Sequence, residues 1–501
     1  TIGGSAGTTD YANQFIYDSV GTQFSLDEPE VSVRHLGAIG DGSTDDTTNI
    51  QAAIDVAIDG DTIVVYPGIY SGGINTQGLA IELISSELHA AVVDGGATTR
   101  GFTCDSNETS ETEISGFLIR DCHVGDNGGG MLLRDSSPTI TNCRFVNNAA
   151  NHAGGVFAEN SSSTWNNCEF DGNGSGDGGA AYFTSGCFMI MTGCTFTDNI
   201  GNADGGAIRV FGNSSLDISL SMFDGNSVTG GNARGGAIQV DVGSTLIATL
   251  CTFNNNQSAK DGGAIEVSGW SSNNLTLNQC TFIDNSAIDG GGIFCEGMNP
   301  TLTNCTFTNN ASSEDGGAIF CESSDPTLFD CIFTSNSARE AGALRLENNS
   351  NAVVTNCLFN FNTATIHAGA SYALSGGATF LNCAFIGNSA ADKGGAILIG
   401  STVHIESCFF GDNTAGSGGA LYLNNNSAYV SSTRFCNNIP EHYTGSNFND
   451  KGGNTFDDFC SFDCNENGID DLEDIANQTS FDCDQNDVPD ECQPDCDGDG
   501  W

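Results

Sequence analysis

Apolar and polar residues alternate along most of this chain in runs of only three to seven residues. In Thr301-Leu-Thr-Asn-Cys-Thr-Phe307 every second position is set apart, which is strand patterning. Asp315-Gly-Gly-Ala-Ile-Phe-Cys-Glu322, followed by Asp325-Pro-Thr-Leu-Phe-Asp-Cys-Ile-Phe-Thr-Ser-Asn336, is one copy of a recurring unit. A Cys-x-Phe-x-x-Asn segment closes each copy and a Gly-Gly-Ala-Ile segment opens the next. The phenylalanines run from Phe145 through Phe170, Phe196 and Phe223 to Phe435, 25 to 30 residues apart. No copy holds a helical pattern of ten residues. The unit lacks a leucine-rich template and falls short of the roughly 40 residues of a propeller blade. Three short strands and three turns per copy predict an all-β parallel β-helix solenoid. The array implies about 13–14 coils, roughly 60–70 Å long at about 4.8 Å per coil.

Stacking turns equivalent positions into columns. The Phe column predicts an internal aromatic stack, and the column from Asn148 to Asn438 predicts an amide ladder. The double glycines allow the positive φ of a sharp corner. Cys122, Cys143, Cys168, Cys194, Cys251, Cys280, Cys305, Cys331, Cys357, Cys383 and Cys408 share a column in which Ser221 and Thr433 also stand. Cys295 and Cys321 share another. Cβ atoms about 4.8 Å apart are too distant for a relaxed disulfide, so these are expected to be buried free thiols.

Before the array, Asn49-Ile-Gln-Ala-Ala-Ile-Asp-Val-Ala-Ile58 has apolar residues at 50, 53, 54, 57 and 58, the spacing of an amphipathic helix. A helix there would cover the first coil. Asp59-Gly-Asp-Thr-Ile-Val-Val-Tyr-Pro-Gly-Ile-Tyr70 then reads as turn, buried strand and turn. With these segments the chain resembles the pectin-lyase-like right-handed β-helices. That resemblance implies handedness and an N-terminal helical cap. It implies either polysaccharide lyase or hydrolase chemistry, or none. The repeats over 101–440 resemble those of chlamydial polymorphic outer-membrane proteins, whose β-helical passengers include adhesins, although no amphipathic β-barrel follows here. The expected organisation is a leader, arm or small cap over 1–30, capping helix and first coils over 31–100, the array over 101–440, and a Cys-rich acidic segment over 441–501.

Composition narrows the partners. Lys plus Arg is 13 against 63 Asp plus Glu, a formal charge of −50. That disfavours nucleic acid and anionic membranes, and favours divalent cations or cationic partners. No run of 18 apolar residues is present, so no direct membrane insertion is expected. A start at Thr1 without Met fits a processed, secreted or cell-surface product.

The last segment carries the clearest chemistry. In Asp463-Cys-Asn-Glu-Asn-Gly-Ile-Asp-Asp-Leu-Glu-Asp474, oxygen ligands fall at positions one, three, five, nine and twelve, with glycine at six. This is the spacing of a Ca2+ loop: Asp463, Asn465, Asn467, the Ile469 carbonyl, Asp471 and Asp474. Asp482, Asp484, Asn486 and Asp490 form a second loop with Asp487 at the turn. Asp495, Asp497 and Asp499 begin a third that stops short, as though the repeat continued. These loops resemble dockerin and thrombospondin type 3 calcium repeats. Cys460, Cys464, Cys483, Cys492 and Cys496 predict disulfides in an oxidising compartment, with Cys436 available to one of them.

Within the array, Glu296, Glu322 and Glu347 stack at coil spacing on an outward column beside Arg345. Close carboxylates can raise one pKa or hold Ca2+ for a uronate. The same row fits a solvated acidic face. An acidic column before the double glycine (Asp177, Asp204, Asp261, Asp289, Asp315, Glu340) reads as Asx-turns or as a row of calcium sites. The wider spacing between Phe223 and Phe282 marks longer turns. The expected function is a non-enzymatic extracellular structural or adhesive protein, self-associating or contacting cell-surface glycan. The alternatives are a polysaccharide lyase or glycoside hydrolase, and a non-catalytic glycan-binding module.

Overall fold

The structure is a computed structural model that describes residues 9–10, 15–17, 23–25, 30–33 and 47–460, apart from 242, 270–273, 426 and 458–459. Alternating runs become strands of mostly three to five residues, and equivalent strands of successive coils pair in parallel. One coil passes from Thr327–Phe329 to Ile332–Thr334, then through Ser337–Glu340 to Leu344–Glu347. Repetition of that path gives a parallel β-solenoid of about 14 turns. Ile332–Thr334 belongs to a 16-stranded sheet, the Phe sheet, and Leu344–Glu347 to a 15-stranded sheet, the Gly-Gly sheet. A third sheet runs from Glu30–Ser32 to Asn449–Asp450. Strands such as Ser337–Glu340 form two narrower fringe sheets of four and five strands. The solenoid continues past residue 440 through Thr455–Asp457.

The predicted columns are present. From Phe145 to Phe435 consecutive rings stack with centroids 4.6–5.0 Å apart and planes within 8°, and Phe456 extends the column. The Asn ladder is more complete than alternation requires. Asn310 Nδ2 donates to Asn336 Oδ1 at 3.0 Å and to the Phe282 carbonyl at 3.0 Å, while its backbone N–H reaches the same Asn336 oxygen at 2.9 Å. Each buried amide therefore satisfies its own groups and one backbone donor of the preceding coil.

Among the described residues fifteen cysteines are free and buried. Burial pushes the Cys104, Cys122 and Cys143 thiols up to about 12, so they remain protonated and inert. Ser221 and Thr433 substitute in the column because each hydroxyl accepts the backbone N–H of the cysteine one coil earlier, Cys194 and Cys408. The disulfide Cys436–Cys460 joins positions 24 residues apart that are not column neighbours.

A helix forms over Thr47–Ile54, shorter than the predicted pattern. Ile50, Ala53 and Ile54 are buried in the main core, but the helix ends before Ile58, which is exposed. Gln51 both donates to and accepts from the backbone of Asn75, on the first strand of the Gly-Gly sheet. Thr9–Asp10, Phe15–Tyr17 and Gln23–Ser25 pair antiparallel. No helix among the described residues is long and apolar enough to cross a membrane.

Candidate functional site

The Gly-Gly corner decides what happens on the outward side of that sheet. Gly316 has φ +65°, and a Cβ there would lie 3.0 Å from Phe320 Cβ. At Gly317 a Cβ would strike the Gly342 carbonyl oxygen of the next coil. Each turn therefore folds back across the outward side chains of the strand it opens. The outward column passes through Leu132, Phe157, Tyr182, Arg209, Gln239, Glu266, Phe294, Phe320, Arg345, Tyr372, Leu398 and Tyr422. Alternation along each strand turns these side chains away from the central core. In the structure most of the column is buried, and Ala153 or Ala341 and Ala368 pack over its two ends. The aromatic and Arg345 side chains are thus a second, outer core rather than a displayed surface.

Three charged groups lie in this covered strip. Arg209 meets Asp177 at 2.6 Å, Asp204 at 3.4 Å and Asp241 at 3.8 Å, between the rings of Tyr182 and Phe211. Arg345, only 4% exposed, meets Glu340 at 3.0 Å, Glu347 at 3.2 Å and Asp315 at 3.6 Å, and lies 4.1 Å from the Tyr372 ring centroid. Between them lies Glu266, fully buried, 3.6 Å from Arg234 Nη1 and in register with Gln239. Burial pushes its carboxyl up to about 8, against the lowering effects of Ser268, Arg234 and Gln239. Glu266 lies within the stretch of wider Phe spacing between Phe223 and Phe282, so that signal leads to its coil.

Glu296, Glu322 and Glu347 do align in register, half-buried at the edge of the strip. They do not form a free acid pair. Arg345 holds Glu347, and Asn348 Nδ2 donates to Glu322 at 2.5 Å. The second acidic column differs from the Asx-turn expectation. Asp177, Asp204 and Asp289 accept from the backbone N–H of Asp204, Arg234 and Asp315, one coil onward. The carboxylates thus link coils rather than closing their own turns. Burial pushes Asp289 up to about 6, helped by Asp315, Asp261 and Glu314 nearby. Among the described residues no group of three or more His, Cys, Asp or Glu side chains is placed to hold a metal ion. The Ca2+ candidates Asp463, Asn465, Asn467, Ile469, Asp471, Asp474, Asp482, Asp484, Asn486, Asp490, Asp495, Asp497 and Asp499 lie outside the described residues.

A second ladder, which no single recurring residue type marks in the sequence, runs along the corner between the Gly-Gly and third sheets. The N–H groups of Ser136, Ser161, Cys187 and Ser214 each reach the side chain of the equivalent residue one coil on. Glu108 closes its N-terminal end. Burial alone would raise this carboxyl. Donation from Ser136 and Thr76 hydroxyls at 2.6 Å, Gly78 N at 2.8 Å and Ser106 N at 2.9 Å holds it below the ordinary range instead.

A family profile described as a right handed beta helix region matches residues 93–188, 150–297 and 286–410. No curated protein matches the chain. Similar solved structures include tailspike protein 3 of bacteriophage CBA120, at 13% identity and a TM-score of 0.45, covering 83% of this chain and 62% of that one. The chain thus spans less than two thirds of the tailspike. The catalytic unit of a GH87 α-1,3-glucanase from Streptomyces thermodiastaticus strain HF3-3 is 14% identical with a TM-score of 0.41, over 87% of this chain and 70% of that one. PfbA, a surface adhesin of Streptococcus pneumoniae, is 13% identical with a TM-score of 0.33, over 80% of this chain and 92% of that one.

Proposed function

The chain belongs to the right-handed β-helix family, and from that premise we propose that it is a non-enzymatic extracellular protein, structural or adhesive. Its partners in this reading are further copies of itself or neutral glycan at a cell surface, with Ca2+ bound by residues 463–474 stabilising the C-terminal segment. The use of its cations carries the reading. Of 13 Lys and Arg, all but Arg34 lie among the described residues, and every one of those is engaged. The arginines and Lys260 form ion pairs, and Lys393 and Lys451 lie over Tyr422 and Tyr429. A side-chain cation that neutralises a substrate uronate must be free to meet it, whereas most of these cations are held by acids of a neighbouring coil.

The glycan-cleaving reading has one observation in its favour, the half-buried register stack of Glu296, Glu322 and Glu347. Sedimentation velocity in Ca2+ and then EDTA, with viscosity of glycan polymers followed in parallel, tests both. Concentration-dependent particles that dissolve in EDTA, without loss of viscosity, are expected. A monomer under both conditions removes self-association. Viscosity loss abolished by Glu322→Gln would transfer the assignment to a lyase or hydrolase.

A further inference from the structure

The outward face of the Phe sheet carries an unexpected row of apolar side chains. Ile332 and Leu358 are register neighbours on it, and Ile386 stands one coil further on, beside Asn360. Phe329 and Val353 continue the patch around the corner onto the third sheet. Phe329, Ile332, Val353 and Phe361 are 41%, 41%, 47% and 56% exposed. Phe361 is the most telling. It holds φ +55° in a column otherwise filled by Asn, Asp, Ser and Gly, such as Asn309, Ser335, Gly387 and Asp412. An aromatic residue there bears a conformational cost of about 1 kcal/mol. Its ring also lies over Gly387, where a Cβ would come within 2.7 Å of it. A strained, exposed aromatic with room made beside it is poorly explained by folding of the coil alone.

The same face receives the chain as it leaves the solenoid. Arg434 and Cys436 flank the inward Phe435, so Cys436 points outward, yet it is fully buried. Its disulfide holds Cys460 above the rung of Gly411, where a Cβ would lie 3.3 Å from Cys460 Sγ. Cys460 therefore lies on this face, four coils from Ile332, or roughly 19 Å at about 4.8 Å per coil. About six extended residues cover that distance. The segment contains Phe462, Leu472, Ile475 and Phe481 but no Lys or Arg, so it has apolar groups to bury and no internal ion pairs.

We propose that residues 461–501 run back along the outward face of the Phe sheet and cover the patch formed by Ile332, Leu358, Phe361 and Ile386. The anchor, the reach and the apolar content all favour this occupant over a separate partner. The disulfide then acts as the hinge of a docked segment rather than as the root of a free tail. The proposal is independent of whether the protein is an enzyme or a scaffold.

Photocrosslinking of the full chain tests it. Leu358 and Phe361 are replaced singly by p-benzoylphenylalanine, with Leu250, seven coils from the anchor, as the control position. Illumination is carried out in calcium-containing buffer on an equal mixture of ordinary and heavy-isotope chains. Cross-links from 358 and 361 to peptides of 461–501 within one chain are expected, with none from 250. Mixed-isotope products would instead identify a second copy as the occupant. Absence of any cross-link to 461–501, or equal cross-linking from 250, would likewise overturn the proposal. As a second measurement, Phe361→Asp is expected to speed amide hydrogen exchange in 461–501 by tenfold or more. Unchanged exchange counts against docking.

Discussion

Glu266 titrates in the opposite sense to most acids of a folded protein. Its carboxyl rises from 4.5 to about 8, so between those values the folded chain keeps a proton that the unfolded chain gives up. Its contribution is full below about pH 4.5 and is lost as pH rises towards 8, on the order of a few kcal/mol. Glu266→Gln is expected to remove that slope and to be more stable than the parent at pH 9, read from urea midpoints at pH 5 and 9. Parallel pH profiles for the two proteins would refute the assignment. Asp289, raised from 3.8 to about 6, adds a loss in the same direction at lower pH. Glu108 works the other way, since its pKa is lowered: its contribution is present above about pH 4.5 and is lost as pH falls through the folded value. At the corner between the third and Phe sheets, Leu220 and Leu250 hold φ +52° and +55°, where other coils have Asn, Gly, Asp, Ser or Gln. Leu250 is already half exposed, so Leu250→Asn is expected to stabilise by about 1 kcal/mol, and a lower melting temperature would contradict that account.

The ladders are elements in their own right, and their energies differ in kind. Removing the Asn310 amide leaves the Asn285 amide and backbone N–H without their acceptor, takes its donor from the Phe282 carbonyl, and leaves the Asn336 oxygen to the Asn310 backbone N–H alone. Asn310→Ala is expected to cost about 3 kcal/mol or more in urea unfolding. Exposed Asn304→Ala, at a left-handed turn, should cost about 1 kcal/mol; equal losses would show that burial of the ladder adds nothing. The Phe and Asn columns were legible in the sequence because one residue type recurs at one place in every coil. The serine ladder was not, because Ser161, Cys187 and Ser214 look like ordinary turn residues and only their stacking reveals a shared role. Glu108 was invisible for a related reason: its donors come from Thr76, Gly78, Ser106 and Ser136, far apart in the chain. Alternation correctly put Arg345 and Phe320 on the outward side of their sheet. It could not show that the double-glycine turn folds back over them.

As a whole molecule the protein is a series of nearly identical joints between neighbouring coils, so stability is set locally. Deleting residues 311–336 removes one period and brings Asn310 into register with Asn362. The shortened protein is expected to fold with the same strand content and a length reduced by about 4.8 Å, measurable by small-angle scattering; failure to fold would mean that the coils are not interchangeable. The Asn ladder also has a direction. Every Asn from 148 to 413 offers its Nδ2 and its backbone N–H to one oxygen in the coil that follows. A partly emerged chain thus ends in a rung with two donors waiting, and the next Asn to appear meets both at once. The ladder therefore lets coils set one by one from the N-terminal side, each finished rung being the mould for the next. Fragments ending at Asn310 should accordingly show slow amide exchange up to their last coil, while those beginning at Ala311 should not.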